Sequence, residues 1–258
     1  MITGLGTGGA EQQVADLGRL MADRGHTVSI VSLTDAAQPV PIDARINVTA
    51  LGLAKRPAAL ARCLLDLRRT LTRVAPDVVH SHMFHANLLT RLVRPTLAVP
   101  RLISTAHSTQ EGGHLRWVGL RWTDRWADRT IGVSDAVVRN LLAHRACPAA
   151  KLGTVHNGID VTRFVRGPAL RTATRAALGI DADTPLLLAV GRLVPAKDYP
   201  NLLTAFAQVA QHIPKAILAI AGAGPGHATL VEQTHQLGLV DRMRLLGVRR
   251  DIPALMNA

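Results

Sequence analysis

The chain has 258 residues, 48% hydrophobic and 19% charged, which suits one large or two modest globular domains and excludes an intrinsically disordered chain. Its apolar runs are shorter than the roughly 18 residues of a membrane-spanning helix, and its start, MITGLGTGGAEQQ, lacks the basic and apolar regions of a signal peptide. Cys63 and Cys147 cannot form a disulfide framework, so the composition predicts a cytoplasmic protein.

The formal net charge is +12, and arginine supplies most of it. Three explanations stay open: a solvated basic surface, contact with an anionic membrane, and binding of nucleic acid. The stretch KRPAALARCLLDLRRTLTRV reads as a basic amphipathic helix, which suits peripheral contact with the inner face of a membrane. Aromatic residues are only 3% of the chain and no DNA- or RNA-binding signature is present, so we expect no nucleic-acid partner.

Short apolar or β-branched runs alternate with helical patterns along the chain. Eight runs predict strands: 27–33, 77–82, 101–106, 129–134, 152–157, 185–191, 216–222 and 243–247. Between them, apolar residues recur with a helical period, as at Leu202, Phe206, Val209 and Ile213. This alternation predicts an α/β fold in which helices cover parallel sheets.

Two parts of the chain resemble each other. The stretch from Ile2 to Leu33 and the stretch from Leu186 to Gly222 both read as strand, loop, helix and strand, which is the size of one βαβ unit. We therefore predict two Rossmann-like domains, over 1–165 and 166–258, with a linker region near 158–184.

Both ends look short for this fold. Only Met1–Thr3 precede the first glycine loop, although the first strand of a doubly wound sheet is central. The second domain shows only three strands. We therefore expect a chain clipped at both ends, with an incomplete second domain.

Two cations follow a buried strand in AVGRLVPAKDYPNLL. Arg192 comes directly after Gly191, and Lys197 precedes a helix predicted to begin between Asp198 and Asn201. In open α/β sheets, ligands bind beyond the carboxyl ends of the strands, and helix N-termini attract anions. A diphosphate is the natural ligand for this pair. The alternative is an ordinary surface loop.

The loop GLGTGGAE also opens a helix. Its glycines, among them Gly8 and Gly9, let a ligand approach the backbone closely, but they are equally typical of a tight strand-to-helix turn. The loop is not a regular G-x-G-x-x-G fingerprint, and Asp35 is the only acidic candidate for a ribose ligand.

Several polar residues follow the strands of the first domain. In HSHMFH, the residues His80, His82 and His85 could hold zinc, but no acidic or cysteine ligand is near, so we predict no metal and place His82 in the ligand cleft. His107 follows the next strand and could hydrogen-bond a sugar hydroxyl. Asn157, in HNGID, reads as a turn and a second cleft residue.

Taken together, these motifs make the chain resemble the family-4, group 1 retaining glycosyltransferases, which have the B-type fold. The resemblance rests on TGLGTGGAEQQV, DVVHSHMFHANLL, STAHS, GVSD, VHNGID and AVGRLVPAKDYPNLLTAF, in this order. It implies transfer of a sugar from a nucleotide-sugar to a hydroxyl of a carbohydrate or lipid-linked acceptor, with retention and without a metal or other cofactor.

The resemblance also assigns roles to residues. Arg192 and Lys197 match the pair that binds the donor diphosphate, which the N-domain glycines Gly8 and Gly9 also face. His107 matches the histidine near the transferred sugar, a catalytic position. Val248 and Arg249, in LGVRRD, match the loop that meets the base and ribose.

The chain departs from the family in one motif, a pair of glutamates spaced as E-x7-E that contacts the donor sugar and ribose. The glutamates here are Glu11, Glu111 and Glu232, and no two have that spacing. The alternative to an enzyme is therefore an inactive truncated remnant or a nucleotide-binding module. A dinucleotide-dependent oxidoreductase is a further alternative, which the irregular glycine fingerprint and the Arg192–Lys197 pair disfavour.

Overall fold

The computed structural model describes residues 1–6, 8–34, 40–54, 56–109 and 112–258, so Asp35, the ribose-ligand candidate, lies outside the described residues. The chain divides into two units, Met1–Ile159 and Asp160–Ala258. The sequence places this boundary after residue 165, within a region predicted to be a linker.

The first unit contains a parallel sheet. Its strands are β1 (Ser29–Ser32), β2 (Asn47–Ala50), β3 (Val78–His82), β4 (Arg101–Ala106), β5 (Arg129–Gly132) and β6 (Leu152–Thr154). β1 pairs with β2, and β3 to β6 pair in chain order, all in parallel. Ile2 forms parallel bridges to both Ser32 and His82, so the first residues occupy the central position expected of a first strand.

β2 is absent from the strands that the sequence predicts. Its four residues, NVTA, are exposed or half-buried, so they form no apolar run that a pattern search could find. β2 is held instead by its parallel pairing with β1, from Ser29 opposite Asn47 to Ser32 opposite Ala50.

Helices cover this sheet on both faces. They are α1 (Gly9–Asp23), α2 (Pro57–Val74), α3 (Phe84–Val93), α4 (His114–Thr123) and α5 (Asp135–Ala143). Neighbouring residues of β1 point to opposite faces, and they pack in different clusters: Val31 with residues of α2 and α3, and Ile30 with Val14 of α1. This two-sided burial explains why the strands read as short continuous apolar runs.

The second unit has a three-stranded parallel sheet. Its strands β7 (Leu186–Val190), β8 (Ile217–Ala221) and β9 (Met243–Gly247) pair in chain order. Its helices are α6 (Pro168–Ala177), α7 (Tyr199–His212), α8 (His227–Gln236) and α9 (Ile252–Asn257). α7 buries Leu203 and Phe206 in a cluster with Leu218 and Ile220 of β8, which fixes the start of α7 beside the ends of the strands.

α6 lies in the stretch predicted to be a linker. Its sequence, PALRTATRAA, is rich in alanine and arginine, which favour helices, and proline starts its first turn. The stretch has no long apolar run, so a search for buried segments does not find it. Among the described residues, no helix combines the length and apolarity needed to cross a bilayer.

Candidate functional site

The carboxyl ends of the strands in the first unit bring several predicted site residues together. Ile2 bridges His82, and the backbone N–H of His82 donates to the carbonyl of Met1 over 2.9 Å. The glycine loop that follows Ile2 therefore leaves the sheet beside the end of β3. His107 comes directly after β4, which pairs with β3 through His82 opposite Thr105.

Three histidines form a connected group at this edge. The Nδ1 atom of His82 lies 3.0 Å from Nε2 of His107, and the rings of His80 and His82 have centroids 4.1 Å apart. Nε2 of His80 is 2.7 Å from the hydroxyl oxygen of Thr105. The parallel pairing of β3 and β4 produces this contact between residues 25 positions apart in the chain.

Burial keeps these imidazoles neutral near pH 7. It lowers the pKa of His82 far below its usual range and also lowers the pKa of His107. The pKa of His80 falls to about 4, because of burial first and the nearby amino terminus second. A neutral ring carries one N–H donor and one acceptor, so the bond between His82 and His107 couples the tautomers of the two rings.

The opposite face of β3 holds a hydrogen-bond network that fixes the ends of β3 and β4. The Ser81 hydroxyl donates to Oδ1 of Asn87 over 2.8 Å, and Nδ2 of Asn87 donates to the carbonyl of Thr105 over 3.0 Å. These groups are buried, so breaking one bond would leave a partner unsatisfied. The network therefore holds Thr105 and the strand end that carries His82 in place.

The two predicted glycines have different surroundings. Gly8 has an extended backbone and precedes α1. A Cβ on Gly8 would lie 3.1 Å from the Cδ atom of the buried Glu11 and would clash with its carboxylate. Gly9 is the first residue of α1, and a Cβ there would meet no described atom within 4 Å. The Glu11 carboxylate ends a flexible side chain, so this contact by itself does not require glycine at position 8. Gly9 presents an open backbone at a helix N-terminus.

Asn157 is exposed. The next residue, Gly158, lies near α1, since Nε2 of Gln13 is 4.0 Å from the position that a Cβ on Gly158 would take. The HNGID turn therefore lies beside the first half of α1. Among the described residues, no three His, Cys, Asp or Glu side chains are arranged so that they could hold a metal ion.

In the second unit, the loop after β7 packs against the loop after β8. The backbone N–H of Gly191 donates to the carbonyl of Ala221 over 3.0 Å, and that of Leu193 donates to the carbonyl of Ala223 over 3.0 Å. Gly222 and Gly224 lie so close that a Cβ on either would overlap the carbonyl of Gly191 or Leu193. Backbone contact between the two loops thus fixes the path on which Arg192 lies.

Arg192 and Lys197 are both exposed at the carboxyl end of β7. The side chain of Lys197 passes over Gly191, with its Cε atom 3.5 Å from the position that a Cβ there would take. The hydroxyl of Tyr199 donates to the Gly191 carbonyl over 3.1 Å, which ties the start of α7 to the loop. The pair thus stands beside a helix N-terminus, where an anion is stabilised.

Val248 and Arg249 follow β9 at the same edge of this sheet. Val248 is exposed, and Arg249 forms a two-point ion pair with Asp251, with nitrogen–oxygen distances of 2.8 and 2.6 Å. The N–H of Gly222 donates to the carbonyl of Gly247 over 2.7 Å, so the loop after β9 adjoins the loop after β8. The roles of these residues in base and ribose binding stay predictions.

Sequence reasoning missed several residues that shape these surfaces. Gly222 and Gly224 lie in GAGPG, which begins at the last residue of a predicted strand, so their spacing was a usable signal. Thr105 and Tyr199 gave no signal, because their roles depend on partners that only folding brings near. Met83, between β3 and α3, has a φ of 72°, a conformation that costs free energy in a non-glycine residue and is frequent at functional sites.

The helix predicted to contact a membrane is α2. Its apolar residues Cys63, Leu67 and Leu71 pack in the core of the first unit. Arg62 and Arg69 pair with Asp66 on the outer side. Leu60 and Leu65 are exposed on this helix as well, so its outer surface is both charged and apolar.

Sequence comparisons agree with the motifs. Residues 7–163 match Glycosyltransferase Family 4, and residues 171–258 match Glycosyl transferases group 1. The chain is 28% identical over 273 positions to D-inositol 3-phosphate glycosyltransferase 2 of Catenulispora acidiphila, covering 94% of this chain and 63% of that protein. It is 34% identical over 188 positions to D-inositol 3-phosphate glycosyltransferase of Mycobacterium leprae, covering 66% and 42%. The chain thus spans 42% to 63% of the length of these relatives.

Solved structures confirm the predicted fold class. Anabaena Alr3699/HepE, crystallised with UDP-glucose, aligns with a TM-score of 0.85 at 22% identity, covering 98% of this chain and 70% of that one. WaaG, a glycosyltransferase involved in lipopolysaccharide biosynthesis, aligns with a TM-score of 0.75 at 16% identity, covering 99% and 70%. The fold is the B-type glycosyltransferase fold with Rossmann-like domains. The chain belongs to glycosyltransferase family 4, within the group 1 glycosyltransferases.

Proposed function

We propose that this protein transfers a sugar from a nucleotide-sugar donor, with UDP-sugars as the first candidates, to a hydroxyl of an acceptor with retention at the anomeric carbon. The observation that carries the proposal is the loop of Arg192 and Lys197 beside the N-terminus of α7, held by glycine contacts with the loop after β8. Support for the donor class comes from the similarity to Alr3699/HepE, which was crystallised with UDP-glucose.

The chemistry requires stabilisation of the leaving group. The bond between the anomeric carbon and the diphosphate oxygen breaks, and its electron pair stays on the diphosphate. The acceptor hydroxyl oxygen forms the new bond to that carbon, and its proton passes to the departing phosphate. Two fixed cations suit the charge that develops on the diphosphate, so we propose that no metal is needed.

His107 is our candidate for the residue that contacts the transferred sugar. Burial lowers its pKa, so the ring is neutral near pH 7 and can donate one hydrogen bond to a sugar hydroxyl. His82, 3.0 Å away, would set which nitrogen of His107 carries the proton. This arrangement favours a role in orienting the sugar over a role as a cationic acid.

The acceptor is proposed to be a carbohydrate or a lipid-linked molecule. Relatives at 28% and 34% identity are named for glycosyl transfer involving D-inositol 3-phosphate, so this compound is the first acceptor to test. A lipid-linked acceptor would require the protein to work at a membrane surface. Peripheral contact with an anionic membrane and a cytoplasmic location stay predictions.

The first test is binding of UDP by isothermal titration calorimetry to the wild-type chain, Arg192→Ala and Lys197→Ala. Loss of one charge-assisted contact should weaken binding by roughly 10- to 150-fold. Lys215→Ala is the matched control, because this exposed lysine lies before β8, at the amino edge of the same sheet. Equal affinities in all four proteins would refute the diphosphate assignment.

The second test is turnover of UDP-glucose with D-inositol 3-phosphate and a panel of acceptors, followed by proton NMR of the product. The coupling constant of the anomeric proton distinguishes retention from inversion. Activity that persists after chelation with EDTA would support a metal-independent reaction. UDP binding without transfer to any acceptor would favour the nucleotide-binding module over the enzyme.

A further inference from the structure

A second concave surface lies at the opposite edge of the first sheet. It is a pocket of about 640 Å³, formed by the segments that precede β5 and β6. It therefore lies at the amino ends of these strands, whereas His82 and His107 lie at carboxyl ends. Its charged lining residues are Arg121, Arg125, Arg145, Lys151 and Asp124.

The charge balance of this pocket is strongly positive. Asp124 is its acidic lining residue and is buried, with its carboxylate oxygens 3.7 Å from the Arg91 guanidinium and 3.5 Å from Nζ of Lys151. Arg91 itself is buried behind the pocket. The Asp124 charge is thus already compensated, which leaves the three arginines to set the potential of the pocket.

Two of these arginines have guanidinium groups without a bonding partner among the described residues. Within the part of the chain that the structure describes, the guanidinium groups of Arg121 and Arg145 have neither an ion pair nor a hydrogen bond, and both residues are exposed. Arg145 has a φ of 52°, a left-handed conformation that is uncommon for arginine. An arginine thus occupies a backbone position that glycine or asparagine adopts more readily, and it lines the pocket.

The third arginine is held by aromatic rings. The guanidinium carbon of Arg125 lies 4.5 Å from the Trp122 ring centroid and 4.4 Å from that of Trp126. Such stacking orients the planar guanidinium while leaving its N–H groups able to bind an anion. A planar guanidinium can donate two parallel hydrogen bonds to the oxygens of a phosphate, which makes arginine well suited to bind this group.

We propose that this pocket is a second binding site, separate from the donor-binding surface, that takes a phosphate group carried by an organic molecule. The phosphate would be bound by Arg121, Arg125 and Arg145. The remainder of the molecule would lie against Leu142, Ala146 and Pro148, the apolar part of the lining. The volume falls within the range of about 300–1,000 Å³ typical of small-molecule sites.

A neutral thiol completes the lining. Burial, assisted by the Asp124 carboxylate, raises the pKa of Cys147 to about 11, so it adds no negative charge near pH 7. Two sources could supply the phosphate: a soluble phosphate ester, or the headgroup of an anionic lipid. The exposed side chains of Leu115, Val118 and Trp122 on α4, next to Arg125, make the lipid source worth testing.

Tryptophan fluorescence gives a local readout. The chain has three tryptophans, Trp117, Trp122 and Trp126, and the last two contact Arg125. The second unit has none, so Arg192 and Lys197 have no tryptophan in their own unit, and the variants of the pocket arginines show whether a change in emission comes from the pocket. The readout therefore does not depend on the proposed transferase activity. We would titrate the protein with pyrophosphate and, separately, with phosphatidylcholine vesicles that contain or lack phosphatidylglycerol.

The test variant is Arg121→Gln combined with Arg145→Asn, since asparagine tolerates the left-handed conformation of residue 145. We expect its apparent dissociation constant to rise at least about 10-fold, as loss of charge-assisted hydrogen bonds implies. Arg139→Gln is the matched control, because this exposed arginine of α5 does not line the pocket. Arg121→Lys retains the charge and should bind within a few-fold of wild type.

The outcomes are distinct. A saturable response to pyrophosphate that the double variant loses would support a site for soluble phosphates. A response only to vesicles with phosphatidylglycerol, also lost in the double variant, would support a lipid phosphate as the source. No response to either probe, or an equal response to sodium chloride of matched ionic strength, would overturn the proposal. So would an unchanged response in the folded double variant.

Discussion

Replacing Gly222 by alanine should distort the loop that carries Arg192. The Cβ atom would overlap the carbonyl oxygen of Gly191 and lie 2.8 Å from its carbonyl carbon, so two backbone segments would have to separate. The Gly191 carbonyl accepts a hydrogen bond from the hydroxyl of Tyr199, and the N–H of Gly222 donates one to the carbonyl of Gly247. The substitution therefore overpacks the contact and strains two hydrogen bonds.

The expected cost follows from these contacts. Overpacking a well-packed region typically costs about 1–3 kcal/mol, and each weakened hydrogen bond adds about 0.5–1.5 kcal/mol. We expect Gly222→Ala to lower the unfolding free energy of the second unit by about 2–6 kcal/mol. UDP affinity should fall as well, because Arg192 directly follows the displaced carbonyl.

A graded series makes the test sharp. A Cβ on Gly224 would overlap the Leu193 carbonyl oxygen, whereas one on Gly226 would lie 3.1 Å from it, so destabilisation should decrease from 222 to 224 to 226. Gly167→Ala is the control, since its φ is −144° and its Cβ would lie 3.4 Å from the Leu170 Cβ atom. Hydrogen–deuterium exchange of β8 measures the local free energy. Equal exchange in the Gly222 and Gly167 variants would refute the packing argument.

Two further predictions concern the first unit. Gly9→Ala should keep or slightly raise the melting temperature, because alanine favours helices and its Cβ meets no described atom. It should weaken catalysis, because the added methyl group would obstruct a ligand that approaches this backbone. Unchanged kinetics would show that Gly9 does not belong to the site. Burial lowers the pKa of His82 and gives His80 a pKa of about 4, so the unfolded chain binds protons that the folded chain does not. Stability should therefore fall as pH drops from about 6.5 towards 4. In thermal melts His82→Gln should flatten this dependence, and a wild-type melting temperature that is constant over this range would contradict the prediction.

Much of the fold was readable from local patterns. The strands predicted at 101–106 and 243–247 have these bounds in the structure, and the predicted start of the helix after Lys197 agrees with α7. Strands buried on both faces are mostly apolar or β-branched, and a sequence pattern shows this composition directly. β2 and α6 were missed because neither contains an apolar run, and their positions depend on pairing and helix propensity.

The sequence by itself determined the order of the motifs, and with it the family and the candidate cations Arg192 and Lys197. Only the tertiary structure decided which side chains meet. The 3.0 Å contact between His82 and His107 depends on the pairing of β3 with β4, and the arginine pocket depends on two segments that reach the same edge of a sheet. Motifs arise because strands and turns restrict which residues can occupy neighbouring positions in the sequence. Contacts such as these join residues that are distant in the sequence, so they appear only when the sheet has formed.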